Sequence, residues 1–209
     1  MTREDPNKSA LIISGAFKVL LKEGLPHLSY DRVAQAAGVT RQLVRYYFPN
    51  PEDLMMTLCE QMADTYREAM INGITHHEGR DRLDVFFDFY FDVLDGTPKP
   101  RDDQAYDALL SLSAGSNRLR NTLRDQYTLL GQVVSHELRL QYPDLPLPAC
   151  TEISYLFVVI MYGHWKMVAS LGLSESHRLV SRRAIDRLIA SYRSVPETID
   201  DAQVWKAEV

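Results

Sequence analysis

Cysteine is scarce: Cys59 and Cys150 are the only two among 209 residues, and neither has a second cysteine or a histidine at ligand spacing. That excludes a disulfide framework and a cysteine-based zinc site. Each thiol is expected to be a small buried hydrophobe. Long apolar runs are missing too. The longest uncharged stretch, Ile153 to Trp165, falls well short of the roughly 20 residues a membrane span requires. The opening Met1 to Lys8 lacks the apolar centre of a signal peptide. The expectation is a cytoplasmic protein with no membrane partner.

Catalytic signatures are also lacking. Ser113-Ala114-Gly115-Ser116-Asn117 does not form a Gly-x-Ser-x-Gly nucleophile turn, and no Gly-Lys-Ser/Thr loop is present to cradle phosphate. His136-Glu137 opens like a zinc-protease motif, but Leu140 stands where its second histidine is required. His76-His77-Glu78 places neighbours on different sides of a helix, with no third ligand near in sequence, and reads as a solvated helix end. Neither a metal, a cofactor nor an enzymatic activity is expected. No strand-like alternation competes with helical spacing, so the fold class is all-α.

What is present is an ordinary globular composition, 45% hydrophobic and 24% charged, with an uneven charge distribution. The formal net charge is −5, yet residues 1–50 hold seven Lys or Arg against four Asp or Glu. The remainder carries 16 basic and 24 acidic side chains. A basic head on an acidic body fits phosphate binding, which needs only local positive charge.

The strongest pattern lies in that head. Residues 29–48 read as two short helices around a glycine turn, a helix-turn-helix that places its second helix in the DNA major groove. Ser29 is positioned to cap the first helix, Asp31 to complement its dipole, and Val33, Ala34 and Ala37 to form its buried stripe. Gly38 suits the left-handed turn, and Val39 plugs the core beneath it. Thr40 caps the next helix, Arg41 to Tyr47, which turns Leu43 or Val44 together with Tyr47 inward. Arg41, Gln42, Arg45 and Tyr46 face outward. Arginine matches two guanine acceptors, glutamine pairs with adenine in the same two-pronged way, and tyrosine offers a hydroxyl or a ring.

Ser29-Tyr30-Asp31-Arg32-Val33-Ala34, Ala37-Gly38-Val39-Thr40-Arg41, Tyr47-Phe48 and the following Glu52-Asp53-Leu54 resemble the TetR family signature over about residues 9–58. The resemblance implies an N-terminal three-helix unit that binds an operator as a dimer. It also implies a divergent helical body that often takes a small molecule releasing the DNA. Carried to matching positions, it names Thr40, Arg41, Gln42, Arg45, Tyr46 and Tyr47 as DNA contacts. The chain departs from the family at Pro51, where a lysine is usual, and at Arg45, more often an aromatic.

Helical spacing maps the rest. A first helix is expected from about Ser9 to Glu23, and a fourth from Pro51 to about Ile74 behind an Asn50 cap. Residues 83–94 read as an amphipathic helix, with Leu83, Phe86, Phe87, Tyr90, Phe91 and Leu94 opposite Asp84, Asp88 and Asp92. Further helices are expected at 103–114, 118–142, 149–171 and 177–192, with Pro143, Pro146 and Pro148 between the middle two. By resemblance, the last two helices form a homodimer interface. Aromatic density with a few polar tips makes Phe86, Tyr90, Tyr127, Met161, Tyr162, His164 and Trp165 candidates for a ligand cavity.

The expected organisation is a DNA-binding domain at 1–50 and a ligand-binding and dimerisation domain at 51–209. The expected function is a homodimeric transcriptional regulator, a repressor that a small-molecule effector releases from a palindromic double-stranded DNA operator. The alternative is a helical small-molecule binder or enzyme that keeps the helix-turn-helix only for packing.

Overall fold

The computed structural model describes residues 6–195 and 204–206. Among the described residues are nine α-helices and no strand: α1 (Pro6–Glu23), α2 (Tyr30–Ala37), α3 (Arg41–Tyr47), α4 (Pro51–His76), α5 (Arg82–Tyr90), α6 (Asp103–Ser113), α7 (Asn117–Gln141), α8 (Leu147–Leu171) and α9 (Arg178–Ser194). The all-α expectation holds.

Where helix ends differ from the spacing, local chemistry explains them. α1 and α8 begin earlier than expected, with Pro6 and Pro148 in their first turns. There a missing N–H is no loss, because the first four N–H groups have no partner inside the helix. α5 stops at Tyr90, not at 94. Asp92 takes a left-handed φ of 54°, and the N–H of Val93 reaches back to the Asp88 carbonyl at 2.8 Å, closing the helix with a six-to-one bond. Phe91 and Leu94 are still buried, so the apolar pattern runs on through a turn that is no longer helical. α9 starts at Arg178 because Glu175–His177 form a separate 3-10 turn.

Packing divides the chain into two compact units, Met1–Asp64 with Arg101–Arg124, and Thr65–Pro100 with Asp125–Val209. The helices α4 and α7 each belong partly to both. This is a division by packing, whereas the boundary expected at residue 50 is one of role.

In the first unit, Ile12, Ala16 and Leu20 of α1 meet Val33, Val44, Phe48, Leu54 and Leu58, with Leu109, Leu119 and Leu123 completing the core. Cys59 is buried in it, as a small hydrophobe should be. The start of α4 is tied to the start of α7: Arg118 bridges to Asp53 at 2.7 Å, and the Ser116 hydroxyl donates to Glu52.

The core of the second unit is aromatic. Phe86, Phe87, Phe89, Tyr90 and Phe91 surround Phe157, with Met161, Trp165, Ile185 and Ile189 alongside. Cys150 is likewise buried here. A buried arginine joins α9 to α5: Arg182 donates to Asp88 at 2.7 Å and Asp84 at 3.0 Å, and pairs with Asp186 on its own helix. Its guanidinium also lies 5.3 Å over the Phe87 ring. Burial works against its charge, and the bonds to Asp88 and Asp186 outweigh that, holding its pKa above the ordinary value. Asp84 and Asp88, expected on the face opposite the apolar one, are the seat of an ion-pair network.

Candidate nucleic-acid interface

Each half of the helix-turn-helix is closed by its own residues. Ser29 Oγ accepts from the Arg32 N–H at 3.4 Å, and Gly38 ends α2 at φ 67°, ψ 33°, the left-handed geometry that glycine enters at little cost. The Val39 N–H bonds the Ala34 carbonyl at 3.0 Å, and Thr40 Oγ1 accepts from the Leu43 N–H at 3.1 Å. Both caps stand where the sequence expects them. A seven-residue helix cannot hold itself in water. α3 is fixed by tertiary contact: Val44 is fully buried, and the Tyr30 hydroxyl donates to the Phe48 carbonyl at the end of the helix. Burial raises the Tyr30 pKa, opposed by Arg45 and aided by Asp53, so this donor keeps its proton at neutral pH.

With Val44 inward, Arg41, Gln42, Arg45 and Tyr46 are exposed together. Tyr46 is 57% exposed, a large aromatic presented to solvent beside two guanidinium groups. Thr40 is exposed at the cap. Tyr47 is half-buried, packed against the core of the first unit, with its ring edge to Tyr46 at a centroid distance of 5.4 Å. Arg41 pairs with Asp31 at 3.3 Å, both side chains well exposed. Such a pair is worth about 0–1 kcal/mol in water, so a phosphate can displace it. Asn50 Oδ1 accepts from the Glu52 N–H at 3.0 Å across Pro51, which gives α4 its start.

In the second unit six of the seven candidate ligand residues, Tyr162 excepted, belong to one aromatic core or pack against it. Phe86, Tyr90, Met161, His164 and Trp165 are buried, and Tyr127 and Tyr162 half-buried. The Trp165 indole N–H donates to the Tyr90 carbonyl at 2.8 Å, the Phe86 and Tyr90 rings lie 5.0 Å apart, and His164 sits edge-on to Trp165 at 4.9 Å. His164 Nδ1 is 3.2 Å from the Ser181 hydroxyl of α9.

An open cleft of about 260 Å³ lies elsewhere, lined among others by Gly131, Ser135, His136, Arg139, Thr151 and Trp205. None of the seven candidates lines it. Trp205 seats its indole over Gly131, where a Cβ would overlap the ring, and donates to Ser154 Oγ at 3.0 Å. Spacing arguments miss Trp205, which sits in no periodic segment. They also miss Lys99, 3% exposed, with its ammonium 4.4 Å from the centre of the Trp165 ring. Arg182 had a legible signal: it falls in line with Ile185 and Ile189 on the buried side of α9.

Among the described residues no group of three or more His, Cys, Asp or Glu could hold a metal ion, and no helix is long and apolar enough to cross a membrane. His76 and His77 instead place their Nδ1 atoms on the Asn72 and Gly73 carbonyls at 2.7 and 2.9 Å, closing the end of α4.

Residues 12–56 match the family described as Bacterial regulatory proteins, tetR family. Among solved structures, a TetR transcription regulator from Haloarcula marismortui superimposes with a TM-score of 0.76 at 13% identity, covering 90% of this chain and 98% of that one. A Saccharomonospora viridis protein in complex with choline gives 0.73 at 15%, covering 89% and 97%. The multidrug binding protein EbrR complexed with ethidium gives 0.63 at 18%, covering 87% and 98%. At such identities the likeness is one of fold. The chain thus carries, over residues 12–56, a match to the tetR family of bacterial regulatory proteins, set in a TetR-like all-helical fold.

Proposed function

We propose that the protein is a homodimeric transcriptional repressor that grips an inverted-repeat operator and leaves it when a small molecule binds the body. The observation that carries this reading is the outer face of α3, where Arg41, Gln42, Arg45 and Tyr46 are exposed together on a helix capped by Thr40 and held at its end by the Tyr30 hydroxyl. Thr40 and Tyr47 flank that face and complete the contact set. Arg41 and Gln42 supply forked donors for base edges, Arg45 a base or phosphate contact, and the tyrosines hydroxyls for the backbone. The role boundary falls at residue 50, with residues 51–209 as the effector and dimer part. The regulator works in the cytoplasm, where its DNA is, and has no catalytic task.

Pairing through α8 and α9 is supported by an exposed apolar stripe. Tyr155, Val159, Met167 and Leu171 recur along one face of α8 at multiples of four residues, with the open backbone of Gly163 in the gap. Leu179 and Val180 on α9 are also exposed. Contiguous apolar surface of this kind marks an interaction site. Two heads joined through it would enter successive major grooves roughly 34–36 Å apart, half-site spacing for a two-fold operator. A ligand that favours a body conformation with another head spacing shifts the population off DNA, with α4 as the lever. Structures of this fold with choline and ethidium support a small-molecule role for the body.

The test is selection from a random duplex library at moderate salt, followed by sequencing of the retained DNA. Enrichment of an inverted repeat supports DNA readout and dimer symmetry together. A folded protein that enriches nothing contradicts the reading.

A further inference from the structure

The cleft beside Trp205 is built from one side of α7 and the start of α8, all within the second unit. Gln132, Ser135, His136 and Arg139 are spaced so that they share a face of α7. Leu147 and Thr151 supply the α8 side, and Trp205 an aromatic wall. That wall is fixed in place. The indole N–H donates to Ser154 Oγ at 3.0 Å, the Ser154 hydroxyl donates in turn to the Thr151 carbonyl at 2.7 Å, and the ring stands edge-on to Tyr155 at 5.6 Å. Gly131 admits the indole, because a Cβ there would overlap it. Glycine is otherwise unfavourable in the middle of a helix; here it makes room for a ring.

The charge in the cleft is of one sign. Among the described residues no carboxylate lines it, and Arg139 has no ion-pair partner. Glu137 on the same helix pairs with Arg82 at 3.2 Å, and Asp144 beyond its end with Arg193 at 2.8 Å. A guanidinium presents a planar pair of donors that matches a carboxylate, and Gln132, Ser135 and His136 add donors around it. One permanent cation suits a monoanion better than a phosphate. Trp205 and Leu147 offer apolar surface to the rest of the ligand. The volume of about 260 Å³ falls just under the roughly 300–1,000 Å³ of most small-molecule sites, which suits a single ring. We propose that the cleft binds a small aromatic carboxylate, its ring against the Trp205 indole and its carboxylate on Arg139. Leu147 and Thr151 precede Tyr155 at steps of four residues, so the site adjoins the α8 stripe through which pairing is proposed. This deepens the reading of the body as an effector domain, setting the effector outside the aromatic core, and rests on that reading for the consequence at DNA. Binding itself is a property of the protein alone.

The experiment is NMR of the full, isotopically labelled chain, following its two tryptophan indole N–H resonances, which Trp205→Phe assigns. Benzoate is titrated against benzamide, its neutral isostere, and against inorganic phosphate. The expected result is a saturable shift of the Trp205 resonance by benzoate that leaves Trp165 unmoved, with benzamide and phosphate at least about ten-fold weaker. Arg139→Gln changes an exposed side chain. It should weaken benzoate by at least about ten-fold and leave benzamide as it was. Gly131→Ala keeps the helix and pushes the indole away; benzoate binding, read there from the α7 backbone amides, should fall to that of acetate. Benzoate bound no tighter than benzamide, or undiminished by Arg139→Gln, overturns the proposal. Phosphate bound as tightly as benzoate overturns it too, as does benzoate in Gly131→Ala still bound as in the parent. A saturable shift confined to Trp165 would put the ligand in the aromatic core and overturn it, and so would no saturable shift at all. No readout here uses DNA, so failure of this proposal and failure of the regulator reading are separate results.

Discussion

Gly15 of α1 and Ala37 at the end of α2 are in such close approach that a Cβ on Gly15 would lie 2.8 Å from the Ala37 methyl and equally near the Val33 carbonyl oxygen. Backbone atoms cannot yield as a flexible side chain can. In Gly15→Ala the helix-propensity gain of about 1 kcal/mol is opposed by an overpacking cost of roughly 1–3 kcal/mol. We expect a net loss of about 1 kcal/mol in denaturant unfolding, with DNA affinity reduced because α2 and α3 no longer sit squarely on α1. An unchanged midpoint would mean that the crossing is looser than described.

Arg182 provides the test of how α9 is held. Its partners Asp84 and Asp88 belong to α5, and its removal takes this cation from both, leaving Asp88 with Arg80 at 2.5 Å. Truncating one partner of a fully buried ion network costs about 3–5 kcal/mol; with Asp84 partly exposed, roughly 2–3 is expected for Arg182→Ala. Urea unfolding followed by circular dichroism reads this directly. A loss under 0.5 kcal/mol, the size of an ordinary surface change, would make the network ornamental.

These two sites show what the sequence can and cannot disclose. The α2–turn–α3 segment was legible almost to the residue, because Ser29, Gly38 and Thr40 each carry a local signal: two hydroxyl caps and a left-handed turn. α6 and α7 were also legible, since their apolar spacing is regular. The end of α5 was not. Its periodicity runs on to Leu94, and nothing local announces that an aspartate will take the left-handed conformation that stops it. Gly15, Lys99 and Trp205 were invisible for a related reason. Their significance lies in what a distant part of the chain brings against them, and one-dimensional periodicity carries no such information.

Tyr192 gives a pH signature. Its hydroxyl donates to Glu152 Oε2 at 2.7 Å, linking α9 to α8. Burial, then the bond to Glu152 and the carboxylate's charge, push its pKa from 10.0 up to about 12. The unfolded phenol loses its proton first. The stability that this raised pKa contributes is whole below pH 10 and is lost as pH rises through about 12. The difference in tyrosinate absorbance between the protein and Tyr192→Phe should contain one group titrating near 12. Titration of that group near 10 would show that the bond does not persist in solution.

The proposed dimer would pair through the α8 stripe, in which Val159 is exposed. A carboxylate there would be buried against a second copy without a partner, at a cost of several kcal/mol. We expect Val159→Glu to sediment as a monomer at concentrations where the parent is a dimer, with its helical signal and melting otherwise retained. A Val159→Glu protein that is still dimeric would move the interface elsewhere.

The central claim is that the outer face of α3 reads DNA, and its most direct measurement compares the parent with Arg41→Ala/Arg45→Ala on the selected duplex. Each specific arginine contact is worth about 1–3 kcal/mol, so the double variant should bind at least about 100-fold more weakly, with a shallower salt dependence. Thermal unfolding should be unchanged, since both side chains are exposed. Equal affinity of the two proteins for that duplex would contradict the account.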